Sequence, residues 1–195
     1  MSKSFMSMGE EKEKFDFRDR KLVFIDLEMS GLDVLTHEVL EIGLVVVEQK
    51  SLQVLTKKSI KVAPTKLKDA DPVALEIIKF RDEDWKDSVD IVTALNILND
   101  LADKAMLIGW NIAFDWSFLG LSFEKARIKP KFDYHFLDVI SLAYIYFKNR
   151  NKPSKLSLRT IARELEIKVD DVHGALTDAY ATYEVYKKLV QLLGL

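Results

Sequence analysis

The sequence predicts an α/β domain on a mixed sheet, three antiparallel strands followed by parallel strands, flanked by helices. Three observations carry the prediction. Apolar runs at Leu22–Ile25, Val39–Glu48 and Leu52–Val62 follow one another with turn residues between them, the pattern of a meander. Beyond Pro64 the period turns helical, and short apolar runs then alternate with helical segments. The chain has 195 residues, 48% of them hydrophobic and 31% charged, a balance that fits one soluble domain with a sizeable core rather than a disordered chain.

Each element has its own signal. Residues 1–20 are charged, lack the apolar core of a secretory leader, and are expected to form a tail ahead of a single domain over 21–195. The run Leu22–Ile25 predicts a buried strand ending near Glu28, and Ser30-Gly31-Leu32-Asp33 supplies turn chemistry. Gln49-Lys50-Ser51 is a tight connection between the second and third strands. Ile91, Ala94, Leu95, Leu98, Leu101 and Ala102 recur at helical spacing. A short strand over Ala105–Trp110 precedes a helix from Phe114 to Arg127. Another over Tyr134–Asp138 leads into a helix that Asp138 can cap and that ends at Lys148. Ser157 can cap a helix ending near Leu165, and the last helix spans Ala175 to Leu192.

Composition excludes several classes. With no cysteine, neither a disulfide framework nor a thiolate metal site is possible. No apolar run is long enough to span a bilayer, so no membrane partner is expected and a cytoplasmic location is the default. A net charge of −2 disfavours a protein that grips long duplex DNA through counterion release, but suits an enzyme that holds a few nucleotides.

The candidate chemistry lies in carboxylates. Asp26 and Glu28 stand at i and i+2 on the first strand, on one face and roughly 6–7 Å apart. Following a buried apolar run, such a pair would repel and lose solvation unless a hard cation neutralised it. The competing interpretation is an exposed strand end in a chain with 31 acids. Asp178 interrupts a stripe of Ala175, Thr182, Val185 and Leu189 on the last helix and needs a partner, either a metal or a Lys or Arg. Asp115 opens the helix after Ala105–Trp110, where a carboxylate can simply complement the helix dipole. His173 precedes Asp178 by five residues, off its helical face, in a loop or at the helix start. His37 and His135 read as structural or exposed.

Together these residues resemble the DEDDh, ribonuclease T-like family of 3′→5′ exonucleases. The resemblance covers about residues 21–192. It rests on Ile25-Asp26-Leu27-Glu28-Met29-Ser30-Gly31-Leu32, on Val39-Leu40-Glu41-Ile42-Gly43, on Asn111 with Asp115, and on His173-Gly174-Ala175-Leu176-Thr177-Asp178-Ala179. Two departures stand out: Trp110 precedes Asn111 where many relatives carry His, and Ser30 replaces a frequent Thr.

The resemblance implies a ribonuclease H-like fold and two divalent cations, Mg²⁺ or Mn²⁺, held by Asp26, Glu28, Asp115 and Asp178. His173 would be the general base, and the products nucleoside 5′-monophosphates. The implied partners are single-stranded DNA or RNA 3′ ends, together with a homodimer mate or a polymerase. Leu27, Ser30 and Leu32 would line the pocket, with backbone and Ser30 near the terminal 3′-hydroxyl, Leu32 packing beside a base and Asn111 positioning the strand. Trp110 and Trp116 offer stacking surface, whereas Phe114 suits core packing. Lys148, Arg150, Lys152, Lys155 and Arg159 form the densest basic stretch, a phosphate track or a solvated loop. The rival reading is an exonuclease-fold module that binds nucleic acid or protein without catalysis.

Overall fold

The structure, a computed structural model, describes residues 16–169 and 174–195. Among these, five strands form one sheet in the order β3-β2-β1-β4-β5. They are β1 (Lys21–Met29), β2 (Val39–Glu48), β3 (Val54–Lys61), β4 (Met106–Gly109) and β5 (Phe136–Asp138). The first three pair antiparallel, and β4 and β5 add on parallel to β1. The helices are α1 (Pro72–Ile77), α2 (Ile91–Leu101), α3 (Ile112–Ala126), α4 (Val139–Phe147), α5 (Leu158–Glu164) and α6 (Ala175–Leu193). The expected mixed sheet and order of elements are thus present. None of the described helices is long and apolar enough to cross a membrane.

Strand alternation splits the core into two layers. Val23, Ile25 and Leu27 of β1 pack with Ile42, Leu44 and Val46 of β2 against α2 and α3. Leu22 and Phe24, with Val45 and Val47, face the opposite layer, built by α4, α5 and α6. Phe24 anchors α6 directly, its ring 5.4 Å from that of Tyr183 and 5.3 Å from that of Tyr186. The buried stripe anticipated on the last helix is present: Ala175, Thr182, Val185 and Leu189 are all buried.

Local chemistry sets the boundaries. β3 starts two residues later than the apolar run because Leu52 adopts a left-handed conformation in the hairpin, where Glu48 accepts the Lys50 and Ser51 amides. α3 starts two residues earlier than expected, since Asn111 also turns left-handed (φ 64°) and closes the strand–helix connection. α1 was not anticipated; at six residues it is under two turns long, too short to show a helical period. Its signal was instead the Asp71-Pro72 pair: the Asp71 carboxylate accepts the Val73 amide, and Pro72 tolerates the first helical position. Asp138 and Ser157 cap α4 and α5 as the sequence suggested.

Residues 16–20 lie against the domain. Arg20 forms a well-shielded ion pair with Asp133 at 2.8 Å, and Lys50 reaches Asp19 at 2.6 Å.

Candidate metal and active site

The site grows from strand parity. Asp26 and Glu28 share the face of Leu22 and Phe24, so they point toward α6. Asp26 lies opposite Gly43 and Glu28 opposite Glu41 in the β1–β2 register. The register shifts just after Glu28, and regular pairing ends at the carboxylates.

Gly43 brings the third acid in. A Cβ at that position would stand 2.1 Å from the Ala175 carbonyl carbon and 2.2 Å from the Leu176 nitrogen. With no side chain there, the first turn of α6 rests directly on β2. Asp178, in that turn, thereby reaches β1. One carboxylate oxygen each from Asp26, Glu28 and Asp178 lie within 4.8 Å of one another, close enough to share a cation.

Asp115 approaches from the other layer. It is 5% exposed, and its Oδ1 accepts the Leu27 amide at 3.1 Å. That bond fixes the first turn of α3 against β1 between the two strand acids. Asp138 secures the neighbouring connection, accepting both the Asn111 and the Ile140 amides at 3.0 Å.

Electrostatics explain what the cluster needs. Burial pushes the Asp26 carboxyl well up, and Asp115, Asp178, Glu28 and Glu41 push it further. Burial likewise drives Glu28 up to about 8, reinforced by Asp178, Glu41 and Asp115. Asp115 is also raised by burial, opposed by the amides it accepts. Asp26 and Glu28, raised in this way and grouped with Asp178, fit a hard divalent cation, which neutralises carboxylates without needing a proton.

A pH prediction follows. A carboxyl raised in the folded state stays protonated there after the unfolded chain has lost its proton. The stabilising proton is fully present below the ordinary value of 4.5 and is lost as pH rises toward about 8. Metal-free protein in EDTA should therefore lose stability across that window, and Glu28→Gln should flatten the slope. Denaturant titrations at several pH values measure it. An identical slope in the variant refutes the assignment.

The residues expected at the substrate pocket take the following positions. Ser30 is 1% exposed, and its Oγ accepts the Glu38 amide at 3.0 Å, so the hydroxyl braces the loop. Leu27 points into the α2–α3 layer, and only its amide serves the site. Leu32 is 75% exposed. Asn111 is exposed at the α3 start, and Trp110 is partly buried against the α6 layer. Phe114 packs on Phe118, and Trp116 on Phe132 and Phe136, so both belong mainly to the core. His173 lies outside the described residues. His37 accepts the Asp33 amide, and His135 lies 2.6 Å from Asp133, both structural roles.

Two charged neighbours were not assigned to the site from sequence. Glu41 stands directly opposite Glu28, its Oε1 accepting the Ser59 hydroxyl at 2.7 Å. Arg159, grouped with the basic stretch, instead turns toward Asp178. Strand parity would have revealed the first, and the Ser157 cap of α5 the second.

Comparison with known proteins identifies the family and the fold. The RNase_T exonuclease family profile matches residues 23–186. Among curated proteins, the chain is 28% identical over 177 residues to the PolC-type DNA polymerase III of Caldanaerobacter subterraneus subsp. tengcongensis, covering 89% of this chain. It is 23% identical over 172 residues to that of Bacillus subtilis, covering 87%. The chain spans only 12% and 11%, respectively, of the lengths of those polymerases. Among solved structures, the nuclease domain of 3′hExo, described as a DEDDh family member bound to rAMP, superposes with a TM-score of 0.74 at 16% identity. That match covers 88% of this chain and 92% of the other. E. coli Exonuclease I in complex with a dT13 oligonucleotide superposes with a TM-score of 0.74 at 16% identity, covering 88% and 41%. These likenesses establish a shared ribonuclease H-like exonuclease fold. With the profile match spanning most of its length, this chain belongs to the RNase_T exonuclease family, of DEDDh type.

Proposed function

We propose that residues 21–195 form a metal-dependent 3′→5′ exonuclease domain that releases nucleoside 5′-monophosphates from single-stranded DNA or RNA ends. The observation that carries this reading is the convergence of Asp26, Glu28 and Asp178 within 4.8 Å. Asp115 beside them is locked to the Leu27 amide. Two Mg²⁺ or Mn²⁺ ions would be held by these four residues and, when bound, would supply charge stabilisation at phosphate and a more acidic water.

The chain's own residues do the rest. Asp26, on the central strand and flanked by the other acids, would contribute its carboxylate to the ions. His173 takes the proton from the attacking water, a task that suits imidazole near neutral pH. The exposed Leu32 flanks the terminal base, and the backbone of the Leu27–Leu32 segment borders the 3′ end. Asn111 and Trp110 border the cleft at the α3 start. The polymerase relatives make a polymerase a reasonable partner, and a second copy of this chain is the alternative.

A 5′-labelled single strand tests polarity. It should shorten stepwise with Mn²⁺, a blocked 3′ end should resist, and matched DNA and RNA oligomers should rank the substrates. The rising limb of the pH–rate profile should disappear in His173→Ala. Rapid cutting of a circular strand would replace the exonuclease with an endonuclease. No hydrolysis under any of these conditions would favour a binding module that retains the fold.

A further inference from the structure

The acidic cluster already has a cation against it. Arg159, the second residue of α5, places Nη2 3.4 Å from Asp178 Oδ1. Its charge lowers the Glu28 carboxyl while every neighbouring acid raises it. The pair sits at the rim of the site, the Arg159 side chain 31% exposed and that of Asp178 17%. The other cations of the basic stretch, Lys148, Arg150, Lys152 and Lys155, are exposed to solvent, with Arg150 lying over the Tyr146 ring.

A guanidinium and a divalent ion on one carboxylate are competitors. Both positive charges cannot neutralise Asp178 at short range without repelling each other. An ion loaded at the site would weaken the hold of the guanidinium on Oδ1. Arginine has a flexible stem, and its planar fork of donors matches phosphate geometry. A strand end hydrolysed at this cluster necessarily brings a phosphodiester to the same rim.

We propose that Arg159 is an exchangeable counter-cation of the site. It pairs with Asp178 in the metal-free protein, yields that carboxylate to a divalent ion, and then grips a phosphate of the strand being cut. The proposal rests on the exonuclease reading above and assigns a phosphate contact within it.

The test titrates Mn²⁺ alone by calorimetry, without nucleic acid, into wild type, Arg159→Gln and Arg159→Lys. Removing the competing charge should tighten Mn²⁺ binding in Arg159→Gln by about three- to tenfold. Arg159→Lys keeps the charge and should stay within about twofold of wild type. With a short single-stranded oligomer, KM should rise about tenfold in Arg159→Gln while kcat moves less, with Arg159→Lys intermediate. Weaker Mn²⁺ binding in Arg159→Gln would mean that the guanidinium merely props Asp178, and an unchanged KM would remove the phosphate contact; either overturns the proposal. A wild type that binds no Mn²⁺ brings down the exonuclease reading first and this proposal with it. A wild type that binds, paired with a variant that binds no tighter, overturns this proposal alone. Thermal melts establish that each variant is folded. If Arg159→Gln is not, Arg159→Lys decides: wild-type Mn²⁺ affinity with a raised KM supports the proposal, and any other result overturns it.

Discussion

Asp26→Ala should fold normally in EDTA and be nearly inert with Mn²⁺. Asp26 is the acid on which the others converge: Asp115, Asp178, Glu28 and Glu41 all press on it electrostatically. Without an ion, its burial and that repulsion oppose folding, so truncation should leave the metal-free protein as stable as wild type or more stable. With metal the order reverses. An ion bound only by the folded wild type adds about 2.7 kcal/mol at a concentration of 100 times its Kd, an increment the variant should lack. Losing a donor to the charge-stabilising centre should lower turnover about a thousandfold, the equivalent of several kcal/mol. Paired melts in EDTA and Mn²⁺, with single-strand digestion, measure all three effects. More than about a tenth of wild-type turnover would contradict the role that the chemistry of the site demands. A lower melting point in EDTA would show that Asp26 is structural.

How far the sequence revealed this site depends on how each residue reaches it. Asp26 and Glu28 were legible because strand parity is encoded in the chain, and Asp178 because an acid in an apolar helical stripe stands out. Asp115 was ambiguous locally; what places it in the site is the Leu27 amide, 88 residues away in sequence. For Ser30, apolar periodicity does not give the direction of a loop hydroxyl, and its contact with the Glu38 amide became visible only in the fold. Leu27 followed a rule that was available: the residue between two same-face acids must point the other way, into the α2–α3 layer. Arg159 was grouped with its neighbours in sequence, yet the α5 cap at Ser157 separates it from the exposed run and turns it inward. Chain-local patterns thus reported faces and caps, while contacts between layers required the fold.

Gly43→Ala tests that last kind of contact and should be among the most damaging single changes to the assembled site. The added methyl would meet Ala175 and Leu176 backbone atoms at 2.1 to 2.2 Å, far inside van der Waals contact. Flexible side chains can swing away from such a clash, but a helix backbone pinned by its own hydrogen bonds cannot. Relief must come from lifting the first turn of α6 off β2 or from bending β2 at its pair with Asp26. Either movement disturbs the layer in which Phe24 holds Tyr183 and Tyr186, and either carries Asp178 away from Asp26 and Glu28. Overpacking a tight contact costs about 1–3 kcal/mol even where side chains can adjust, so about 3 kcal/mol or more is expected for a backbone clash. For a domain of this size that lowers Tm by about 6–12 °C. The same variant should also lose Mn²⁺ affinity in calorimetry, although no ligand has been removed. Addition of Asp26→Ala should then cost little further metal affinity, because the donor set is already broken. A Gly43→Ala protein that melts within a degree or two of wild type, and binds Mn²⁺ equally well, would show that α6 does not rest on β2 at this point and that Asp178 reaches the cluster by another route.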